Sequence, residues 1–233
     1  MTPRQAASCN RGQVRVRCTE AGCRHEAGLP LGGWIPPTGW PCTSSVGCRP
    51  YDPGRMHDET VTFLEMTSPS QLVSARPPPA PLQLEEAYPA AAPVLRSTYV
   101  RIGAPHGWTG RAAWSDERWE EELARPGVRA WIARVNEEVV GLVELELESN
   151  GDVGIVVFGL VPEWVGKGFG GALLTLTTRL AWEVTSPGGM PARRVWVQTS
   201  SGDHPHARPN YERRGFRTFR TERTRTRSAD DSN

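Results

Sequence analysis

A loop rich in glycine, at residues 166–171, follows an apolar run at residues 153–160 that is typical of a strand. Behind the loop, apolar residues resume at a spacing that indicates a helix. Glycines allow successive backbone N–H groups to converge on one anion, and the start of a helix adds the positive end of its dipole. The order of strand, loop and helix therefore predicts a binding site for a pyrophosphate.

Two other nucleotide-binding loops share part of this pattern. Gly166, Gly168 and Gly171 satisfy the dinucleotide fingerprint, but that fingerprint turns directly from the first strand of a domain into its helix. Here residues 162–165 intervene, and the loop lies late in a chain of 233 residues. The P-loop requires Lys followed by Ser or Thr, whereas Lys167 is followed by glycine. A loop with a purely structural role stays open at this point.

A second motif lies about 40 residues downstream, at residues 203–216. With it, the sequence resembles the GCN5-related N-acetyltransferases (GNAT). The first motif resembles their pyrophosphate loop, whose usual form is Arg/Gln-x-x-Gly-x-Gly/Ala. The second resembles their Ala-x-x-x-Tyr-x-x-x-Gly-Phe pattern, which is matched by Ala207, Tyr211, Gly215 and Phe216. The resemblance covers roughly residues 60–223.

The resemblance implies an α/β fold of the GNAT type, with a mixed, mainly antiparallel sheet of six to seven strands flanked by helices. It implies direct transfer of an acetyl group from acetyl-CoA to a primary amine, without a covalent enzyme intermediate. Tyr211 stands at the family's general-acid position, and packing of this tyrosine between helix and sheet is the alternative. The implied contacts to acetyl-CoA fall on Phe158, Gly159 and Leu160 for pantetheine, on Val165, Gly166, Lys167, Gly168, Phe169 and Gly170 for the pyrophosphate, and on Asn210.

The chemistry of acyl transfer to an amine requires few groups. An alkylammonium has a pKa of about 10.4, so about one molecule in a thousand is a free nucleophile at neutral pH. This costs roughly 4 kcal/mol of barrier unless a base or desolvation removes the proton. A backbone N–H at Leu160 can stabilise the developing oxyanion, and the departing thiolate needs a proton.

The general base departs from the family pattern, because Gly154 stands where many relatives carry a glutamate. The candidates that remain are three carboxylates and the two histidines of the second motif. The carboxylates are Glu144, Glu146 and Asp152, and the alternative for each is a solvated side chain without a catalytic role. His204 occupies the place where many relatives have an asparagine that contacts pantetheine, and His206 follows it closely. Activation through a water molecule also stays open.

Composition indicates no strong attraction to nucleic acid or to a membrane, since 27 basic residues balance 26 acidic ones. The chain contains no run of 18 apolar residues and no amino-terminal pattern of a secretory signal. We expect a cytoplasmic location and a small-molecule or peptide amine as the partner, with no nucleic acid and no membrane. A homodimer stays open as the assembly.

All five cysteines lie within residues 1–57, among Gly, Pro and Arg, namely Cys9, Cys18, Cys23, Cys42 and Cys48. Their number is odd and no Cys-x-x-Cys pair occurs, so we predict no metal site. Residues 1–57 are predicted to be a disordered extension. The alternative is that they result from translation that begins upstream of the natural start, with Met56 as that start. Residues 58–81 form a lead-in with a Pro-rich linker, residues 82–222 the acetyltransferase domain, and residues 223–233 a disordered tail.

Periodicity predicts strands at residues 82–86, 128–135, 139–147, 153–160, 194–199 and 216–222, and helices at 90–102, 115–123 and 207–214. A further helix behind the glycine loop presents one apolar stripe, formed by Phe169, Leu173, Leu176, Leu180 and Val184. The segment between the first strand and the hairpin contains aromatic residues that either wall an acceptor pocket or belong to the core: Tyr99, His106, Trp108, Trp114 and Trp119.

Two rival functions follow from the same residues. A non-catalytic acyl-CoA-binding or regulatory module would keep the glycine loop and dispense with the base that is missing at Gly154. A nicotinamide-nucleotide enzyme would use residues 166–171 as a dinucleotide loop. Turnover of acetyl-CoA with amines distinguishes the first rival from an acetyltransferase, and binding of NADH but not CoA would support the second.

Overall fold

The structure is a computed structural model that describes residues 59–223 in full, together with the backbone of strand residues 57–58 and 224–226. Nearer the amino terminus it describes the backbone of three short strands, β1 (Ala7–Asn10), β2 (Arg15–Thr19) and β3 (Gly22–His25). They pair antiparallel in that order, which the sequence pattern did not indicate. The predicted disordered tail at residues 223–233 is wrong for residues 223–226, which belong to the last strand (Arg217–Thr226). The other expectations for residues 1–57 and for the rest of the tail concern parts of the chain outside this description.

The main unit is built on one sheet of seven strands. These are β4 (His57–Met66), β5 (Gln83–Ala87), β6 (Val128–Val135), β7 (Glu138–Leu147), β8 (Asp152–Leu160), β9 (Arg194–Ser200) and β10 (Arg217–Thr226). Their order across the sheet is β10-β4-β9-β8-β7-β6-β5. Strands β8 and β9 are parallel, whereas β5–β6, β6–β7, β7–β8 and β4–β9 are antiparallel pairs. The predicted mixed, mainly antiparallel sheet is therefore confirmed.

The hairpin between β6 and β7 turns at two residues. Asn136 and Glu137 have φ angles of 48° and 67°. Positive φ at both central residues gives the twist that a two-residue hairpin needs, and asparagine tolerates it better than most residues do. The hairpin predicted around residues 136–138 therefore forms, with Glu138 as the first residue of β7.

Strand β4 is a difference from the sequence prediction, which assigned residues 58–81 to a lead-in outside the domain. The strand pairs with β9 from Val61, opposite Ser200, to Met66, opposite Val195. Leu64 and Met66 are fully buried in the core. The domain therefore begins with this strand, which lies between β9 and β10.

The segment at residues 67–81, which follows β4 and ends in the Pro-rich stretch, packs against the domain, although its sequence suggested a lead-in and a linker. The Val73 N–H donates to the Arg214 carbonyl at 3.0 Å, and the Ala75 N–H donates to the Thr175 hydroxyl at 3.0 Å. The Gln71 carbonyl oxygen lies only 2.0 Å from the place of a Cβ at Gly215, whose φ is 99°. The glycine of the second motif is therefore required both by its backbone conformation and by this contact.

Four helices flank the sheet: α1 (Ala92–Gly103), α2 (Asp116–Leu123), α3 (Gly170–Glu183) and α4 (Ala207–Arg213). Helices α1 and α2 cover one face, where their core includes Leu95, Trp119 and Leu142. Helices α3 and α4 supply core residues to the other cluster, with Leu173, Tyr211 and Val197. The Ser115 hydroxyl accepts the Arg118 N–H, so the predicted cap of α2 is present.

The apolar stripe predicted for α3 is only partly correct. Leu173 is buried, but Leu176 and Leu180 are half-exposed, and the buried face instead includes Thr177 and Thr178. Each threonine hydroxyl donates to the carbonyl four residues earlier, which satisfies the polar group inside the core. Among the residues that the structure describes, none of the helices is both long and apolar enough to cross a membrane.

Candidate active site

Strands β8 and β9 separate at the centre of the sheet. Their parallel pairing ends where Ile155 lies opposite Val197, although β8 continues to Leu160 and β9 to Ser200. The Val161 N–H donates to the Val140 carbonyl on the other side of β8. Because backbone groups alternate along a strand, the N–H and C=O groups of Phe158 and Leu160 face the gap. The gap thus presents main-chain donors and acceptors with which none of the described strands pairs.

The glycine loop closes one end of this gap. Gly166 and Gly168 have φ angles of 79° and 87°, which other residues adopt only with strain. Helix α3 begins immediately afterwards at Gly170, so its first N–H groups and its positive dipole end point to the loop. Pro79 of the Pro-rich segment supports the outer side of Gly168, within 3.4 Å of the place of its missing Cβ.

A cavity of about 550 Å³ fills the gap between the strands and extends along the loop. All but two of the predicted cofactor residues line it. Those that do are Phe158, Gly159, Leu160, Val165, Gly166, Gly168, Gly170 and Asn210. Of the predicted catalytic residues, Tyr211 and His204 line it and Glu144 does not. The structure therefore brings the two sequence motifs to one cavity.

Lys167 and Phe169 are the two exceptions. The Lys167 ammonium lies 5.2 Å from the centre of the Trp164 ring, and the Phe169 ring packs against the same tryptophan at 5.0 Å. Phe169 is buried in the core, so its side chain anchors the loop. Only its backbone is available to an anion.

Tyr211 lies at the base of the cavity, where it is 5% exposed. Its ring contacts Phe158 edge-on at 6.0 Å and Phe216 at 6.2 Å. Burial, followed by the charge of Asp203, raises the pKa of Tyr211 well above its usual range. The phenol is therefore protonated at neutral pH and can act only as a donor of its proton or as a neutral acceptor.

Glu144 is 1% exposed and lies under the α1–α2 face. Arg111 binds both of its oxygens through one nitrogen, at 2.7 and 2.9 Å. Burial raises the pKa of Glu144, and the charge of Arg111 opposes that shift. The Arg111 guanidinium also stacks on Trp114 and reaches Glu122 at 3.5 Å. This carboxylate fixes the connection between α1 and α2, and it is not placed to serve as a base in the cavity.

The other carboxylates considered as bases are also engaged elsewhere. Asp152 forms ion pairs with Arg193 and Arg194, and Glu146 pairs with Arg125 at 2.7 Å. At Gly154 the Trp196 ring comes within 2.6 Å of the place of a Cβ. A glutamate at this position would collide with that ring, so the tryptophan takes the space that the family's base would need.

His204 has a defined tautomer in this geometry. Its Nδ1 accepts the backbone N–H of His206 at 3.2 Å. Burial, and then the neighbouring His206 and His106, lower the pKa of His204, so the ring is neutral at neutral pH. A neutral ring that accepts at Nδ1 carries its proton on Nε2. The Nε2 of His204 is therefore a hydrogen-bond donor, which argues against its use as a base.

One part of the cavity, called the acceptor side below, is lined by His106, Trp108, Asp203 and His204, and two of these, Trp108 and Asp203, had no definite role in the sequence analysis. The Trp108 indole N–H donates to Asp203 at 2.9 Å, and Asp203 also accepts from Thr199 and from the Ser200 N–H. His106 lies beside Trp108, with its ring 5.9 Å from that of His204. Of the aromatic residues left open between pocket and core, His106 and Trp108 line the cavity, whereas Tyr99 and Trp119 are core.

The residues present fit a CoA thioester. The open edge of β8 can form hydrogen bonds with an arm that carries amide groups. The loop from Val165 to Gly170 can bind a pyrophosphate, because its glycines leave the backbone N–H groups open to an anion. The separation of β8 from β9 gives such an arm a passage toward Tyr211. Sheet, loop and cavity together define an α/β acyltransferase.

Comparison with known proteins identifies the family. A family model described as the acetyltransferase (GNAT) family matches residues 95–216, which is more than half of the chain. The chain belongs to this family and is an acyltransferase. A search of curated proteins found no match.

One of the similar solved structures supports the same fold, and two others are similar over part of the chain. A GCN5-related N-acetyltransferase from Sphaerobacter thermophilus is similar with a TM-score of 0.55 and 17% identity, over 77% of this chain and 55% of that chain. One from Kribbella flavida has a TM-score of 0.49 and 18% identity, over 71% and 58%. An aminoglycoside acetyltransferase from an uncultured soil metagenomic sample, in complex with sisomicin, has a TM-score of 0.43 and 16% identity, over 55% and 82%.

Proposed function

We propose that the protein transfers an acetyl group from acetyl-CoA directly to a primary amine. The observation that carries the proposal is the meeting of the open edge of β8, the glycine loop and Tyr211 in one cavity. Acetyl-CoA would supply an acetyl group activated as a thioester. The chain's own residues would bind that group, orient it and move the protons.

The donor half of the proposal rests on the backbone. The N–H groups from Val165 to Gly170 would hold the pyrophosphate, with the dipole of α3 behind them. Phe158, Gly159 and Leu160 would bind the pantetheine arm, and the Asn210 side chain, which donates to the Gly170 carbonyl at 3.1 Å, holds the start of α3 in place. The Leu160 N–H, which faces the gap, would stabilise negative charge on the carbonyl oxygen.

Tyr211 would donate to the departing sulfur. The raised pKa of Tyr211 lies above that of an ordinary thiol, about 8.5. Tyr211 would therefore first form a hydrogen bond to the developing thiolate and transfer its proton only as negative charge builds up on the sulfur. His204, whose Nε2 carries a proton, would add a second donor to the bound thioester arm. These roles assign the acid side of the reaction to α4 and to the turn before it.

His106 is the side chain that we propose as the general base. It lines the cavity on the acceptor side, and within residues 59–223 its ring takes part in no hydrogen bond. It follows the carboxyl end of α1, whereas His206 precedes the amino end of α4, where its side chain makes no capping hydrogen bond. The amine would lose its proton to His106 as the C–N bond forms, and the sulfur would gain one as the C–S bond breaks.

The acceptor is an amine of a small molecule or a peptide. Trp108 offers an aromatic face to an alkylammonium, and the Asp203 carboxylate beside it favours a cation. The cytoplasmic location predicted from the sequence stays a prediction, as does assembly as a homodimer.

Turnover of acetyl-CoA with a panel of primary amines tests the proposal, with release of the CoA thiol as the signal. We expect turnover with at least one class of amine. His106→Gln should lower kcat/KM by about 10²-fold or more, whereas the matched change His206→Gln should have a small effect. Equal effects of the two changes would contradict the assignment of the base.

The rival proposal is a non-catalytic acyl-CoA-binding module. It is favoured by one observation, the Trp196 ring that excludes a glutamate at position 154. Binding of acetyl-CoA without turnover of any amine in the panel would support this rival and contradict the enzyme.

A further inference from the structure

Arg214, at the end of α4, carries a polar group that lacks a partner. Its Nε atom is buried, and among the described residues it forms no hydrogen bond. Glu212, the acidic residue of α4, is paired with Arg208 at 2.8 Å. Within residues 59–223, no carboxylate forms an ion pair with Arg214 or with Arg213 beside it. A buried polar group without a partner is rare in a native protein and calls for a physical cause.

The surroundings of Arg214 make its charge more unfavourable still. Its Nη1 lies 3.2 Å from the place of a Cβ at Gly171, the second residue of α3. The positive end of the α3 dipole is therefore next to a positive side chain, which is the unfavourable arrangement for a helix. Burial and the charge of Arg213 lower the pKa of Arg214. An anion at this place would interact favourably with Arg214, with Arg213 and with the positive end of the α3 dipole.

The position of the two arginines relative to the cavity indicates which anion this is. Arg213, Asn210 and Gly171 line the cavity, and the guanidinium of Arg214 lies against one of these lining residues, Gly171. The loop N–H groups already provide for a pyrophosphate, whereas the arginines come from the carboxyl end of α4 and Arg214 approaches the loop at Gly171, its last residue. A guanidinium fork matches the oxygens of a phosphate monoester, which carries close to two negative charges.

We propose that Arg214, together with Arg213, binds the 3′-phosphate on the ribose of the CoA nucleotide. This inference rests on the proposed function, because it requires a CoA thioester in the cavity. It explains why a cation is packed against a helix amino terminus, and it makes the protein selective for CoA over carriers that lack this phosphate.

Calorimetric titration of the full chain with acetyl-CoA and with 3′-dephospho-acetyl-CoA tests the proposal. For the wild type, we expect acetyl-CoA to bind at least tenfold more tightly than the dephospho form. Arg214→Gln should weaken acetyl-CoA binding about 10- to 100-fold, which is the size of a charge-assisted hydrogen bond, and leave the dephospho form within about twofold. Arg208→Gln is the matched control, since it removes one charge from the same helix and should change neither affinity more than about twofold.

The remaining outcomes would overturn the proposal. Equal weakening of both ligands by Arg214→Gln would assign the arginine to the pyrophosphate, and no weakening of either would make it structural. Thermal unfolding of Arg214→Gln without ligand separates loss of binding from loss of fold, and Arg214→Lys tests whether charge without the fork is sufficient. If the wild type bound neither ligand, the proposed function itself would be wrong, which is a different result from binding that is insensitive to Arg214.

Discussion

The two halves of the cavity present different kinds of chemical groups. The donor half, from Phe158 to Gly171, presents main-chain groups, and its glycines are fixed by φ angles that other residues adopt only with strain. The acceptor half presents side chains from two distant segments, His106 with Trp108 and Asp203 with His204, joined by the bond from Trp108 to Asp203. Substitutions should therefore act on the donor half through backbone conformation and on the acceptor half through lost chemical groups.

The largest effect should come from Tyr211, where the halves meet. Tyr211→Phe removes the proton donor, and general acid catalysis contributes about 10²- to 10⁴-fold, so we expect kcat to fall by at least 100-fold. Affinity for acetyl-CoA should stay within about twofold, because the ring still packs on Phe158. Steady-state kinetics and calorimetry measure the two quantities.

The control for this change is Tyr88→Phe, since Tyr88 is exposed and its hydroxyl is 3.5 Å from Glu86. It should leave kcat unchanged. A full rate for Tyr211→Phe would remove the acid from the mechanism and restrict the tyrosine to packing.

The segment between α1 and α2, which carries His106 and Trp108 of the acceptor half, also contains Arg111, the partner of the buried Glu144. Arg111→Met leaves Glu144 charged and unpaired in the core, which we expect to lower the free energy of unfolding by about 3 kcal/mol. For a domain of this size, that corresponds to a fall in Tm of about 6–12 °C. Differential scanning calorimetry measures both quantities.

The second change Glu144→Gln in the Arg111→Met background removes the unpaired charge and should restore part of the loss. If Arg111→Met alone were neutral, Glu144 would be uncharged in the native state, and the account of this ion pair would fail.

The donor half should respond to strain without any steric contact. Among the described residues, no atom lies within 4 Å of a Cβ placed at Gly166, so in the free protein Gly166→Val acts through its φ angle of 79°. Backbone strain of about 1–3 kcal/mol should weaken acetyl-CoA binding roughly 5- to 150-fold. Gly110 has equally open surroundings without a positive φ, and Gly110→Val should leave binding unchanged.

The smallest effect concerns pH and His204. Its folded-state pKa is lower than that of the unfolded chain, about 6.5, so the unfolded state binds more protons between the two values. Stability should be fully present above pH 6.5 and should fall as the pH drops through the folded-state pKa. The rings of His106 and His206 lie 5.9 and 5.1 Å from this ring, and Asp203 is its neighbour in the chain.

Denaturant unfolding between pH 7.5 and 5 measures this dependence, and His204→Gln should reduce its slope. A slope that is unchanged in the variant would place the dependence on another group.

The difference between the halves also explains what the sequence could predict. The glycine loop, the hairpin at Asn136 and the cap at Ser115 depend on local backbone requirements, and all three are found where the pattern places them. The role of Glu144 depends on Arg111, 33 positions away in the chain, so its residue type alone suggested a base. Contacts between distant segments, such as that of Trp108 with Asp203, leave no periodic signal.

Two errors in the fold predicted from the sequence have similar causes. Strand β4 lies next to β9, from which it is separated by most of the chain, and a Pro-rich segment follows it, so local pattern assigned it to a lead-in. In α3, Thr177 and Thr178 are buried because their hydroxyls bond to backbone carbonyls, whereas a hydrophobic pattern counts threonine as polar. Both errors concern which surface an element covers.

Thermal unfolding of the full chain with acetyl-CoA, and in parallel with NADH, tests the central claim most directly. At about 100 times its dissociation constant, acetyl-CoA should stabilise the domain by about 2.7 kcal/mol, which raises Tm by roughly 5–10 °C. NADH at the same concentration should produce no shift. A shift with NADH and none with acetyl-CoA, or no shift with either in a folded protein, would contradict the assignment of the glycine loop to a CoA thioester.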